Sequence, residues 1–222
     1  MIFLSLYFVF FVAVLLVVYY CLPLRWRWVA LLAGSLIFYL YAAREAFPIL
    51  TATVLLSYGA SRLLYYLKEK KVPVSTQRII LVFSIFVFVA PLFVIKEGNY
   101  ILQTLLGKNG VNLIVPLGIS FYTMQIIAYL TDIYRGDVLP ERNFFRYALF
   151  VTWFPQIVEG PIPRFEQLGR QLQAEKSFDE KGFTGGFQLV LWGSFLKLMI
   201  ADKAGVIVDT VFGAPELYGG GM

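Results

Sequence analysis

The chain has 222 residues, 59% of them hydrophobic and only 15% charged, with a mean hydropathy of +0.72. Soluble domains carry about a quarter charged residues and cannot hide so much continuous apolar surface, so a water-soluble globule is excluded and a lipid bilayer is the expected solvent. The net charge of +5 does not indicate a nucleic-acid partner, because the basic residues lie beside apolar runs rather than along one face.

The first apolar run covers 2–22. It lacks a basic n-region and a small-residue cleavage site, so it reads as a retained spanning helix and not as a signal peptide. Cys21, the single cysteine, lies at its end, so no internal disulfide can form. The bulky Val18-Tyr19-Tyr20 before it argue against lipoprotein attachment. Further runs follow near 28–43, 45–67, 79–95, 111–134, 144–158 and 183–201, with a weaker one near 204–212. Arg44-Glu45 suggest a tight corner between the second and third runs. The pairs Ala30/Gly34 and Ser57/Ser61 have the small-xxx-small spacing that lets helix backbones approach closely. Arg62 can snorkel from the interfacial end of the third run.

Basic residues alternate in density between successive connections. Arg25 and Arg27, then Lys68, Lys70, Lys71 and Arg78, then Arg135 and Arg142 follow the first, third and fifth runs. The intervening connections hold only Arg44, Lys96 and Lys108. The heavy side is expected to be cytoplasmic, with the N-terminus outside.

Polar residues at membrane depth need a reason. In the fifth run Tyr122, Gln125, Tyr129 and Asp132 are three, four and three apart, which aligns them on one helix stripe. Such a stripe either lines a wet cavity or bonds to neighbouring helices. The next run ends in Trp153-Phe-Pro-Gln-Ile-Val-Glu-Gly-Pro-Ile-Pro-Arg164, with three prolines and a glycine. Proline cannot donate to a helix, and freed backbone groups at membrane depth must find protein or cavity water. A broken or re-entrant element is expected here, lying inward against the polar stripe, with Glu159 and Arg164 able to pair across the turn. Phe165, Leu168 and Leu172 then repeat at helical spacing among polar residues, predicting a short amphipathic helix in the interface. Residues 159–182 are therefore not expected to span the bilayer. Lys197, near the end of the seventh run, can snorkel or pair with Asp202.

The expected fold is all-α, a polytopic transmembrane helical bundle forming a single membrane domain over 1–222, with a broken or re-entrant segment and an interfacial amphipathic helix. An intramembrane enzyme and a transporter both fit such an outline, although no inverted repeat is visible. The terminal Gly219-Gly220-Gly221-Met222 has no closing element and reads as a truncation.

Three strings narrow the choice. PLGISFYTMQIIAYLTDIYRG at 116–136, WFPQIVEGPIPRFEQLGRQL at 153–172 and GFQLVLWGSFLKLMIADK at 186–203 occur in this order and spacing. Together they resemble the signatures of the membrane-bound O-acyltransferase family. The match is to its bacterial branch, which includes alginate O-acetyltransferases and the D-alanyl transferase of teichoic acids. The first hundred residues agree with that family in hydropathy and helix count. The resemblance implies an acyl thioester donor on the cytoplasmic side, acetyl-CoA or an acyl carrier protein. It implies transfer, of acetyl in the first instance, to hydroxyls of an extracytoplasmic polysaccharide, directly or through an acetyl-relay partner protein. It also implies a bacterial cytoplasmic membrane location. A histidine at the membrane centre would serve as general base in such an enzyme. This chain contains no histidine, and the family's catalytic histidine falls after the helix resembling 186–203, beyond Met222. Some members carry histidine beside the Phe-Pro pair, where this chain has Gln156. Accordingly no catalytic, cofactor-binding or metal-binding residue is assigned. The expected cavity lining is Tyr122, Gln125, Tyr129, Asp132, Pro155, Gln156, Glu159 and Arg164. A transporter or flippase component for an envelope glycan or lipid is the competing expectation.

Overall fold

The computed structural model describes residues 6–106 and 115–213; for Leu6, Lys96, Glu97, residues 99–106, Val158 and Glu159 the backbone alone is described. Every regular element among the described residues is helical, as expected for an all-α membrane protein. The chain divides into two compact units, Leu15–Glu175 and the pair of segments Met1–Val14 and Lys176–Met222.

Helix α1 (Leu6–Cys21), of which residues 15–21 belong to the larger unit, gives way at Pro23 to a short turn, Leu24–Trp26, and then to α2 (Arg27–Ala43). Arg27 closes the end of α1: its guanidinium donates to the carbonyls of Leu22 (3.1 Å) and Tyr20 (3.5 Å) and lies 5.2 and 5.3 Å from the Tyr19 and Tyr20 rings. A cation at a helix C-terminus satisfies orphan carbonyls and meets the negative end of the dipole. The close approach expected at Gly34 is present, since a Cβ there would lie 2.8 Å from Leu15 Cδ1. The corner expected at Arg44-Glu45 is a single tight turn, Arg44–Ala46, leading into α3 (Phe47–Glu69). Ser57 and Ser61 are fully buried on α3.

Helix α4 (Val74–Leu106) runs past the expected end at 95. Lys96 and Glu97 are good helix formers, no further proline occurs in the helix after Pro91, and Gly98 alone costs only about 1 kcal/mol. The opposite correction applies to the fifth run. Residues 111–114 lie outside the described set, and α5 (Ile119–Arg135) begins only after Pro116 and Gly118. Gly118 has φ +72, and its Cβ would collide with the Ile157 carbonyl oxygen, so the helix cannot extend backwards through it. At the far end Gly136 (φ +91) forms a left-handed cap, with Gly136 and Asp137 N–H both donating to Asp132 O at 3.0 Å.

The sixth run is broken, as expected. Helix α6 (Phe144–Thr152) stops at Trp153, and the six-residue α7 (Phe154–Glu159) starts with Pro155 in its first turn. An extended stretch leads to α8 (Phe165–Gln173), the expected amphipathic helix. Phe165 is buried, Leu168 and Leu172 pack against the core, and Glu166 and Arg170 pair on the exposed side at 3.1 Å.

In the smaller unit, the runs expected at 183–201 and 204–212 are one continuous helical rod. Helix α9 (Glu180–Leu196), capped by the Asp179 carboxylate, passes through a π turn (Lys197–Ala201) into α10 (Asp202–Gly213). The π turn supplies a reason for the continuity. Its i,i+5 register puts Lys197 and Asp202 on one face, where they pair at 3.2 Å as expected. Leu189, Trp192, Ile207 and Phe212 are strongly exposed within this rod, a surface suited to lipid rather than to water. Two stretches of the chain, Leu24–Glu69 and Val74–Ile95, are long and apolar enough to cross a bilayer, and Tyr7–Cys21 is a shorter apolar helix.

Candidate functional site

The break between α6 and α7 leaves backbone groups without helical partners. In an uninterrupted helix Phe150 O would accept from Phe154 N–H, and Val151 O from residue 155, which is proline and has no N–H. Side chains from two other helices take over. Gln125 Nε2 on α5 donates to Phe150 O at 2.9 Å, and Phe154 N–H donates to Ser35 Oγ on α2 at 3.4 Å. Ser35 in turn donates to Leu31 O at 2.8 Å. The non-helical backbone is thus held by protein, the condition under which such backbone is tolerated at membrane depth.

The chain re-enters. Glu141, before α6, accepts from Nε2 of Gln173, the last residue of α8, at 3.1 Å, so the segment between them enters and leaves at the same end. Glu141 also accepts from Asn143 N–H at 3.0 Å, while its own N–H donates to Tyr129 Oη at 2.8 Å. Asn143 caps α6 through its Oδ1.

All four residues of the polar stripe are buried: Tyr122 is 1% exposed, Gln125 3%, Tyr129 1% and Asp132 6%. Gln125 and Tyr129 bond to the re-entrant segment and its approach. The Tyr129 ring also sits 5.2 Å from Tyr147 and 4.9 Å from Phe165, centroid to centroid. Tyr147 Oη donates to Ser57 Oγ at 2.8 Å, bringing α3 into the same cluster. The hydroxyls of Tyr122 and Tyr39 are buried without partners among the described residues. Arg146, on α6, has its Nε buried without a partner and its guanidinium 5.5 Å from the Trp28 ring, a cation–π contact in a site with little water.

The remaining expected residues divide. Pro155 and Gln156 line an open groove of about 360 Å³ together with Trp153, Gly160, Pro161, Pro163, Gln167, Leu168 and Gln171. Gln156 Nε2 donates to Pro161 O and ties the turn closed. Among the described residues no ionisable group lines the groove. The described lining offers hydrogen bonds and apolar contact. Arg164 is exposed at the start of α8 and belongs to no ion pair among the described residues. The Glu159 side chain lies outside the described set, and with it the expected Glu159–Arg164 pair. The stripe thus meets Phe150 and Phe165, which flank the 153–164 segment, while within the segment Ile157 lies against Gly118 and Pro155 and Arg164 are exposed. No cluster of three or more metal-ligating side chains occurs among the described residues.

Ser35 and Gly118 belong to this construction and were not singled out in the sequence. Ser35 had a readable signal, a lone hydroxyl within Leu31–Phe38, an otherwise apolar stretch.

Compared with known proteins, the chain is 30% identical over 213 residues to a probable alginate O-acetylase, AlgI, of Azotobacter vinelandii, covering 91% of this chain and 42% of the relative. It is 37% identical over 101 residues to the Pseudomonas fluorescens protein of the same name, covering 46% of this chain and 20% of that one. To a peptidoglycan O-acetyltransferase of Helicobacter pylori it is 26% identical over 213 residues, covering 82% of this chain and 40% of the relative. The chain therefore spans about two fifths of the length of the Azotobacter and Helicobacter relatives. No family model matches it, and no solved structure does.

Proposed function

We propose that the chain is part of a membrane-bound O-acyltransferase and contributes the re-entrant scaffold of an enzyme that O-acetylates a cell-surface polysaccharide, as its similarity to an alginate O-acetylase and a peptidoglycan O-acetyltransferase supports. The observation that carries this reading is the alignment with an alginate O-acetylase along 91% of the chain, a length that includes α5 to α8. The donor is an acyl thioester on the cytoplasmic side, acetyl-CoA or an acyl carrier protein. The acceptor is a polysaccharide hydroxyl beyond the membrane, reached directly or through a relay partner. The protein crosses a bacterial cytoplasmic membrane several times with its N-terminus outside. Support for that topology comes from the clustering of basic residues. Lys68 Nζ donates to Tyr134 O at 3.2 Å and Tyr58 Oη to Arg142 O at 2.6 Å, so the basic end of α3 and the basic 135–142 connection share one side.

In this division of labour the chain positions and the chemistry comes from elsewhere. A sugar hydroxyl is a weak nucleophile near neutral pH, and general-base assistance is typically worth about 100- to 10,000-fold. The chain has no histidine, and its relatives are more than twice as long as the part matched. The base belongs to that further sequence. The 222-residue chain, purified in detergent and offered a labelled acetyl thioester and a polysaccharide, is expected to show no turnover above a boiled control. Turnover would place a base within these residues and remove the assignment.

Arg164 and Arg170 give a second test. Arg170 is occupied by Glu166 at 3.1 Å, whereas Arg164 is unpaired among the described residues and stands at the groove's end of α8. At the matching positions of a full-length relative, alanine in place of Arg164 is expected to lower transfer about tenfold or more, the loss of one charge-assisted contact. Alanine in place of Arg170 is expected to leave transfer within about twofold, as for an exposed pair. Equal effects would remove the special role of Arg164.

A further inference from the structure

A second cavity lies apart from the groove. The end of α3 and the connection before α6 enclose about 190 Å³ lined by Arg62, Tyr65, Glu69, Leu139, Pro140 and Arg142. Neither Arg62 nor Arg142 is in an ion pair among the described residues. The acid next to Arg142 in sequence, Glu141, is turned instead to Asn143 N–H and Gln173 Nε2, one on each carboxylate oxygen, and makes no ion pair with Arg142 among the described residues. The backbone at Arg142 is fixed as well, since its carbonyl accepts from Tyr58 Oη at 2.6 Å. Two guanidinium groups are therefore held at one cavity with neither in an ion pair among the described residues, and a planar fork of donors suits phosphate oxygens.

The surface leading away from this cavity is apolar. Leu55, Gly59, Arg62 and Tyr66 follow one another along a single stripe of α3. Leu55 and Tyr66 are more than half exposed, and Leu56 and Leu63 flank them, also exposed. At Gly59 a Cβ would meet nothing within 4 Å, so the stripe has an open notch one turn from Arg62. A polar, doubly cationic end joined to an apolar track with a notch has the two-part chemistry of a lipid. A soluble phosphate would use only one part.

We propose that this cavity binds the phosphodiester of an anionic phospholipid, with an acyl chain lying along α3 over Gly59. Glu69 lines the same cavity, so two arginines against one glutamate leave a net charge of +1. That balance matches a phosphodiester better than a doubly charged phosphomonoester. Lys68, Lys70 and Arg135 stand at the same end and add the longer-range attraction that a basic juxtamembrane surface has for anionic headgroups. The site is independent of the acyl-transfer chemistry proposed above.

The test reconstitutes the 222-residue chain in nanodiscs of equal phosphatidylglycerol and phosphatidylethanolamine, extracts it gently, and counts retained lipids by native mass spectrometry. Phosphatidylglycerol is expected to be retained in clear preference. Arg62→Gln with Arg142→Gln is expected to cut that retention about tenfold, as for loss of charge-assisted bonds, and Arg170→Gln is expected to leave it unchanged. Gly59→Phe fills the notch and keeps both arginines; it is expected to reduce retention too, and it decides the matter if the double variant does not fold. Excess inorganic phosphate is expected to displace little lipid. Equal retention of the two lipids by the parent chain overturns the proposal, as does parental retention by the folded double variant. Full displacement by phosphate combined with no effect of Gly59→Phe marks a free-anion site and overturns it as well.

Discussion

Gly118→Val is expected to abolish the folded α5–α7 arrangement. Gly118 holds φ at +72 at the start of α5, a conformation that costs an L residue about 1–2 kcal/mol and a β-branched one more. The added Cβ would also run into the Ile157 carbonyl oxygen and lie 2.8 Å from Ile157 Cγ1. The backbone oxygen cannot move aside without moving α7, and α7 is held through Phe154 by Ser35 and through the α6 end by Gln125. Strain and collision together reach about 3–5 kcal/mol, a large part of the 5–15 kcal/mol that holds a typical domain. Thermal midpoints by size-exclusion in detergent check this. Gly118→Val should lose its monodisperse peak or melt far earlier than the parent, whereas Gly59→Ala, with open space around its Cβ, should melt within a few degrees of it. A Gly118→Val protein with the parental midpoint would show that the α5–α7 contact is not what orders this region.

Tyr147→Ala carries the second large effect. Tyr147 is fully buried, its ring lies 5.2 Å from Tyr129 and 5.7 Å from Tyr58, and its hydroxyl donates to Ser57 at 2.8 Å. It thereby joins α3, α5 and α6. Truncating a large buried aromatic side chain costs about 3–5 kcal/mol in water-soluble cores. In lipid the transfer part fades while the lost packing remains, so about 2–3 kcal/mol is expected. Tyr147→Phe removes only the hydroxyl, and Ser57 keeps its own bond to Val54 O at 3.1 Å. Interhelical hydrogen bonds in membranes average about 0.6 kcal/mol, so the phenylalanine variant should melt close to the parent and the alanine variant well below it. Equal losses in the two variants would assign the stability to the hydroxyl and not to the ring.

Much of this arrangement was legible in the sequence because membrane helices advertise themselves. Long apolar runs located the long helices α1 to α5 among the described residues. Three-and-four spacing located the buried stripe, and three prolines located the break. The hydrophobic spacing of Phe165, Leu168 and Leu172 gave the amphipathic helix, and the Lys197–Asp202 pair followed from proximity alone. What stayed hidden depended on partners distant in sequence. The need for glycine at 118 is visible only once Ile157 is known to lie against it, 39 positions later. Ser35 accepts from a backbone N–H 119 positions away. The extension of α4 past 95 and the fusion of α9 with α10 had a different cause. Lys96-Glu97 and Asp202-Lys203 read as polar interruptions by hydropathy, yet they are acceptable in a helix. Of the expected cavity lining, Pro155 and Gln156 meet an open groove. The stripe instead spends Gln125 and Tyr129 on holding the re-entrant backbone.

The most direct test of membership in the acetylating machinery is a graft. In the Azotobacter vinelandii alginate O-acetylase, the segment matched by this chain would be replaced by residues 1–222, and the alginate of a strain lacking its own enzyme would be assayed for acetyl groups. The expected result is acetylated alginate from the graft, lost again with Gly118→Val. A graft that reaches the membrane at parental levels and leaves alginate no more acetylated than in the deficient strain would contradict the proposed function.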